Sequence, residues 1–543
     1  MDNRLHNIFF HTHTISGIVI SVLLYVIFFA GSFSFFRDEI VNWERNHSIT
    51  STEDITMDYD AAMQSLDEKY DLHGRDIAIG KYYIERRVGV NLGASKDSLA
   101  SDQAKESHFF YLDTETHETA KYEESYTLGE FLYRLHFFAQ IPYPAGYYLS
   151  GFTAFFFLFA ILTGVLVHWN KIVSNFYTFR PWAKLKTIWT DAHTALGTIG
   201  LPFQFVYAVT GAFFMLQALL VAPSVFVFYD GDQGKLYEEL GYSEPEIEYG
   251  YQALEKPMSI NELVARTRTQ WIDFDIHHLH IFNYGDANMH VSVEGITRKD
   301  VKFTGPGKMV FNASTGEVVD EVDPFMRASY LEGVKNSLYR LHYGDYGGYG
   351  LRIISFGLGL LSCFVILSGV MIWLVARNKK HIPEKKRRFN EWVVNIYLAI
   401  CLGMYPITAL TFIAVKVIQP TGMSFLYSFY FIGWLVIAAF FTWKKDIAFT
   451  NKYSLLSGGI LGLIIPVVNG VVTGNWFWLT FMNQQFGFFL VDTLWIAAGV
   501  ISLFAVRQIN KKKRDQLGEQ NGQASRKKRQ KISVNHQPVT TEV

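Results

Sequence analysis

Leu132-Tyr133-Arg134-Leu135-His136 returns unchanged as Leu338-Tyr339-Arg340-Leu341-His342. Working outward from this repeat, the chain matches itself in the same order on both sides. His13-Thr14 with Gly17 opens one apolar stretch and His193-Thr194 with Gly197 opens another. Gly31 and Gly211 each follow their histidine by 18 residues. Downstream of each LYRLH, Leu162-Thr163-Gly164-Val165 corresponds to Leu367-Ser368-Gly369-Val370. Each half therefore reads as apolar span, polar segment, LYRLH, apolar span. A duplication of this kind dictates the architecture.

The apolar stretches set the solvent. Half of the 543 residues are hydrophobic and 18% are charged, and the apolar residues come in long blocks. Ile15 to Phe36 is 22 residues without a charge, and similar blocks lie at about 147–167, 195–221, 353–376, 393–415, 423–442, 454–473 and 486–506. Crossing the hydrocarbon takes roughly 20 helical residues, and lipid offers no partner to an open backbone. Eight membrane helices are expected. The first is read as retained, because Phe35-Phe36-Arg37-Asp38 follows it instead of a small-residue cleavage site.

Lys and Arg gather in alternate loops: Lys171, Arg180, Lys184 and Lys186, then Arg377 to Arg388, then Lys444 and Lys445, then Lys511 to Arg514. With eight spans these share one side, so the positive-inside rule places both termini in the cytoplasm and 37–146 and 222–352 outside. Cys363 and Cys401 both fall in spans and read as packing residues. No C-x-x-C-H is present, which excludes covalent haem attachment. The net charge of −1 gives no reason to expect a nucleic-acid partner.

The two outer segments look related. Residues 58–70 are helix-like, with strand-like stretches near 77–91 and 107–113; 259–270 is helix-like, with strand-like stretches near 271–283, 288–294 and 308–313. The expected fold is a mainly α polytopic bundle bearing two duplicated α+β modules. Its parts are a first span (1–43), a first outer module (44–131), LYRLH with spans two and three (132–221), a second outer module (222–337), LYRLH with span four (338–380), spans five to eight (381–508) and a basic, disordered tail (509–543).

Histidine is costly in lipid and usually faces the bundle interior. His13, His168 and His193 stand at one end of spans one to three; His136 and His342 stand just before spans two and four, on the other side. A lone histidine at a helix boundary is ordinarily an interfacial hydrogen-bonding residue. Two duplicated pairs at matched depth point instead to axial ligation of two b-type haems, His136 opposite His342 and His13 opposite His193. His168 breaks the symmetry, since its counterpart four residues past the aligned glycine is Trp373; His168 with His193 is the rival inner pair. A zinc site lacks evident further ligands, and a proton relay lacks matching intramembrane acids. Arg134 and Arg340 point away from their histidines on a regular helix, whereas Tyr133 and Tyr339 share the histidine face. His277, His278, His280 and His290 form a further cluster, with His278 and His280 on one strand face. Asp492 is an acid within span eight.

On the His-Thr openings, the duplicated LYRLH and the outer α+β modules, residues 1–380 resemble the PepSY-associated transmembrane family, and spans five to eight resemble the extra helices of its longer members. Some of that family resemble diheme inner-membrane proteins that reduce ferric siderophores in the periplasm. The resemblance implies PepSY modules outside, two haem b, and ligands at His13, His136, His193 and His342, with His168 as the extra. It implies an oxidoreductase (a haem-dependent ferric-siderophore or ferric reductase) taking electrons from an unidentified cytoplasmic donor to a periplasmic acceptor, for iron uptake. No G-x-G-x-x-G between a strand and a helix marks a nicotinamide or flavin domain, so the donor is separate. Ile141 to Pro144 and Tyr343 to Tyr349 are candidate acceptor surfaces. The rivals are a peptide-binding sensor or scaffold, a transporter working through spans five to eight, and a diheme reductase of another acceptor.

Overall fold

In the computed structural model, residues 2–48, 53–81, 83–178, 180, 185–239, 247–299, 301–303, 305–326 and 330–534 are described. Lys184 and the end of the tail, 535–543, lie outside them. The chain begins with helices α1 (Asn3–Ser34), α2 (Arg37–Arg45) and α3 (Tyr59–Tyr70) and strands β1 (Ile77–Gly80), β2 (Arg87–Leu92), β3 (His108–Asp113) and β4 (Thr119–Lys121). Then come α4 (Leu128–Leu135), α5 (Ala145–His168), α6 (Ile172–Tyr177), α7 (Leu185–Phe228), α8 (Gln233–Glu239) and α9 (Ile260–Gln270). Strands β5 (Phe274–Phe282), β6 (His290–Thr297), β7 (Pro306–Asn312) and β8 (Val318–Val322) lead to α10 (Tyr330–Tyr343) and α11 (Gly348–Arg377). The last helices are α12 (Glu384–Val417), α13 (Met423–Lys444), α14 (Ile447–Thr473), α15 (Phe477–Met482) and α16 (Phe486–Val534).

Among the described residues, eight helices are long and apolar enough to cross a membrane, and they coincide with the eight apolar blocks of the sequence. Prolines inside α7, α12 and α14 are tolerated because neighbouring helices re-satisfy the freed backbone groups in lipid. The chain divides into two compact units. The first comprises Met1–Glu391 with Ile418–Ser428 and Gln485–Phe488, and the second holds the remaining parts of α12 to α16.

In the first unit, α1 and α7 each pack against both α5 and α11. The corresponding helices of the two halves therefore face each other diagonally, with α1 opposite α7. Outside the spans, each half supplies one helix and a four-strand antiparallel meander, and the modules fuse edge to edge. Strand β1 pairs with β5 in the register Ile77↔Ile281 to Gly80↔His278, giving one sheet of order β4-β3-β2-β1-β5-β6-β7-β8. The alternation of Ile77, Ile79, Val88 and Val90 with that of Leu279, Ile281, Val291 and Val293 makes one apolar face, covered by Leu66 of α3 and Leu263 of α9. The two helices cap one another. Tyr59 N donates to Asn261 Oδ1 (2.8 Å) and Ile260 N to Asp60 Oδ1 (2.8 Å), while Asp58 accepts from Ala61 N. The other face of the sheet turns toward the spans.

In the second unit, Asp492 is fully buried and accepts from Asn469 Nδ2 (3.1 Å), and Thr408 bonds Tyr430 Oη (3.0 Å). Cys401 of this unit and Cys363 of the first are both buried thiols. Helix α16 runs on to Val534, where the composition predicts disorder; no proline interrupts it, and its many Lys, Arg, Gln and Glu residues are good helix formers while Gly518 and Gly522 are poor ones.

Candidate functional site

The duplicated histidines meet in two pairs. His13 of α1 faces His193 of α7 with ring centres 6.2 Å apart, and His136, the residue capping α4, faces His342 of α10 at 6.4 Å. Two in-line metal–nitrogen bonds of about 2 Å, plus about 1.2 Å from each nitrogen to its ring centre, separate opposed imidazoles by about 6.4 Å. Both pairs stand at the separation that one metal ion between them requires.

Hydrogen bonds fix which nitrogen each ring offers. His13 Nδ1 lies 2.8 Å from the Ala160 carbonyl of α5, and His193 Nδ1 lies 3.0 Å from the Val365 carbonyl of α11. A carbonyl only accepts, so Nδ1 carries the proton and Nε2 keeps the lone pair. Ala160 and Val365 each precede the aligned glycine by four residues, so the two anchors are one device used twice. Beneath each ring lies that glycine. A Cβ on Gly164 would stand 3.0 Å from His13 Cε1, and one on Gly369 3.2 Å from His193 Cε1. This gives the matched Thr163-Gly164 and Ser368-Gly369 motifs a purpose. The glycine lets the imidazole lie on the helix, and Ser368 Oγ sits 3.1 Å from His193 Nδ1.

The other pair has the same tautomer by different means. Thr210 of α7 gives its hydroxyl proton to the Val206 carbonyl (2.7 Å), so its oxygen accepts from His342 Nδ1 (2.7 Å). His136 Nδ1 donates to the Tyr133 carbonyl, with Ser34 Oγ 3.4 Å away. Burial pushes His136 down to about 4 and His342 to about 3, so both rings are neutral at pH 7 and available as ligands. Thr210 has no sequence signal in the first half, where Ala30 precedes the aligned glycine.

The two pairs lie at opposite ends of the bundle. A Cβ on Gly31 of α1, 18 residues along the helix from His13, would stand 3.8 Å from His136 Cβ. At 1.5 Å per residue that is about 27 Å. Between them, Phe28 makes ring contacts with Phe157 (5.4 Å) and Phe203 (6.3 Å).

The His136–His342 pair opens onto a cavity of about 1300 Å³ that runs from Phe28, Gly31 and Phe203 up to the sheet, where His277, Glu294 and Lys299 line it. This exceeds the roughly 300–1,000 Å³ of ordinary small-molecule pockets. Tyr133 and Tyr339 line it beside their histidines, as do Tyr343 and Tyr349. The Ile141–Pro144 loop is absent from that lining, and Tyr143 is 74% exposed. Arg134 is held by Glu130 (2.6 Å) and Arg340 by Asp345 (2.8 Å). His168, half-buried, is the last residue of α5, and its counterpart Trp373 stacks under Arg377 (4.5 Å). His278 and His280 share a sheet face with ring centres 6.1 Å apart, and His290 Nδ1 bonds the Asn288 carbonyl (3.0 Å).

One buried cluster escaped the sequence reading. Arg37 of α2, 3% exposed, contacts Glu130 of α4 (2.8 Å), Glu85 (3.2 Å) and Asp38 (3.1 Å), and lies 3.3 Å over the Tyr83 ring. Arg87 holds the far side of Glu85 at 2.6 Å. Nothing in the spacing of these residues announces that they meet.

Residues 10–376 match the family described as PepSY-associated TM region. A protein of Pseudomonas aeruginosa described as uncharacterized is 23% identical over 299 residues, covering 53% of this chain and 72% of that relative.

Proposed function

The chain belongs to the PepSY-associated TM region family, and from that premise we propose that it carries electrons through two b-type haems across a bacterial inner membrane. The donor is a cytoplasmic reductant; the acceptor is a ferric siderophore on the sheet side, which gives up its iron as Fe(II). The observation carrying this reading is the pair of facing imidazoles at each end of the bundle, 6.2 and 6.4 Å apart. All four have Nδ1 occupied, as histidine ligands to a metal ordinarily do.

In this reading His13 and His193 hold one porphyrin iron and His136 and His342 the other. Held by two imidazoles each, such haems would supply one-electron exchange. The Ala160 and Val365 carbonyls and the Thr210 hydroxyl hold the rings in the ligating tautomer. The cavity beside His136 and His342 receives the acceptor, with Tyr343, Tyr349 and Arg352 on its wall. Hard oxygen ligands hold Fe(II) far less firmly than Fe(III), so reduction there frees the metal. In this reading the His13–His193 end and both termini are cytoplasmic, which the Lys and Arg of loops 169–189 and 377–388 support.

Purified protein from haem-replete cells is expected to show a Soret band that shifts with dithionite and two haems per chain. His168→Ala is expected to retain both. Colourless protein would discard the redox reading in favour of a peptide-binding scaffold. Thr210→Val is expected to keep both haems and raise the midpoint potential of the outer one by on the order of tens of millivolts. The His342 ring, no longer donating to Thr210, pushes less electron density onto iron, and potentiometric titration reads the shift.

A further inference from the structure

Strand β5 breaks its own alternation. Ile276 pairs with Gly295 and His278 with Glu294, leaving His277 as an extra residue in a bulge. Ile276, Leu279 and Ile281 all stay in the apolar core, so the bulge adds a side chain to the opposite face. Bulges of this kind re-aim side chains next to functional sites. The extra side chain is a histidine whose Nε2 is buried and has no hydrogen-bond partner among the described residues. Two carboxylates stand beside it. One donor atom each from Glu53, Asp275 and His277 lies within 4.8 Å of the others.

We infer that Glu53, Asp275 and His277 form a binding site for a divalent first-row transition-metal cation, on the sheet wall of the cavity and separate from the four paired histidines. One imidazole and two carboxylates form a borderline donor set suited to Mn(II), Fe(II) or Zn(II). Bonds of about 2.1 Å at right angles put neighbouring donors about 3 Å apart, so side-chain rotations of about an ångström close the set around an ion. Glu53 and His277 both line the cavity, which gives the ion a path in. Lys299 is the resident competitor. Its ammonium contacts Glu53 and also Asp345 (2.8 Å), so it neutralises one ligand until a cation displaces it. A second positive charge nearby, Arg298, is occupied with Asp273 (3.1 Å).

The test uses the full chain in detergent with Mn(II) alone, reading free ion by its electron paramagnetic resonance signal, which does not depend on any bound chromophore. Wild type is expected to remove one saturable equivalent. His277→Ala, His277→Gln and Asp275→Asn should each weaken that binding at least tenfold, while His290→Ala, on the neighbouring strand, should not. Lys299→Met should tighten it. Wild-type protein without a saturable equivalent overturns the assignment, as does a His277→Gln variant that holds Mn(II) like wild type.

Discussion

On the diheme reading proposed above, His342→Ala protein is expected to carry one haem per chain instead of two, and reduction across the membrane is expected to be lost. The loss is local to one end of the bundle. His342 is positioned by Thr210 on its Nδ1 (2.7 Å) and by Tyr207, whose hydroxyl donates to the His342 carbonyl (2.9 Å). Alanine leaves the backbone contact and removes the ring, so His136 faces an empty space where its partner stood. The inner pair, about 25 Å away along α7 by helical rise, keeps its carbonyl anchors and its haem. His136→Ala should give the same stoichiometry. Haem-to-protein ratio and the reduction of an external ferric complex by reductant enclosed in proteoliposomes read the two effects separately. Two haems retained in either variant would remove these residues from the ligand set.

Arg37→Met is expected to cost about 3–5 kcal/mol of stability at neutral pH, because a buried ion pair broken on one side leaves its partners charged and unpaired. Arg37 ties three elements at once: α2, the strand region at Glu85, and α4, which ends at His136. The sign of the pH dependence follows from the carboxylates. Burial pushes the Glu85 carboxyl up, but Arg87 and Arg37 outweigh it and hold the group down to about 2. In wild type that stabilisation is full above the ordinary carboxylate range and is lost as pH falls through about 2. Without Arg37 the buried carboxyls rise and take up protons in the folded state, so acid relieves the variant while it weakens wild type. The gap in thermal stability between the two proteins is therefore expected to be widest near neutrality and to narrow as pH falls toward 4. Loss of monodisperse protein after heating at several pH values measures it, and a constant gap would contradict the account.

Most of this architecture is written in periodicities that a sequence displays openly. Long uncharged runs mark the spans, and the alternating apolar residues around Ile79 and Val291 mark strands. The duplicated LYRLH and His-Thr motifs bring His13, His193, His136 and His342 into their pairs. What the sequence withheld depends on long-range geometry. The meeting of β1 and β5, some two hundred residues apart, leaves no local trace; β4 is three residues long, and Asp320 and Glu321 interrupt the valines of β8. The Arg37–Glu85–Glu130 cluster is assembled from three separate elements. The bulge at His277 is hidden because strict alternation groups His278 with His280 and places their neighbour on the other face. Thr210 stands apart because the duplication has diverged there, so the repeat that exposed its histidine partner conceals the hydroxyl.

The fusion of the two modules through β1 and β5 imposes an order of events on biogenesis. When β1 emerges, its eventual neighbour has not been synthesised, and two further spans must enter the bilayer before β5 reaches the same compartment. Until then β1, which carries Ile77 and Ile79, presents an unpaired edge, the kind that recruits foreign strands. Completion of the sheet is a late, non-local step, and truncation anywhere before β5 would strand a half-sheet exposed to aggregation and proteolysis.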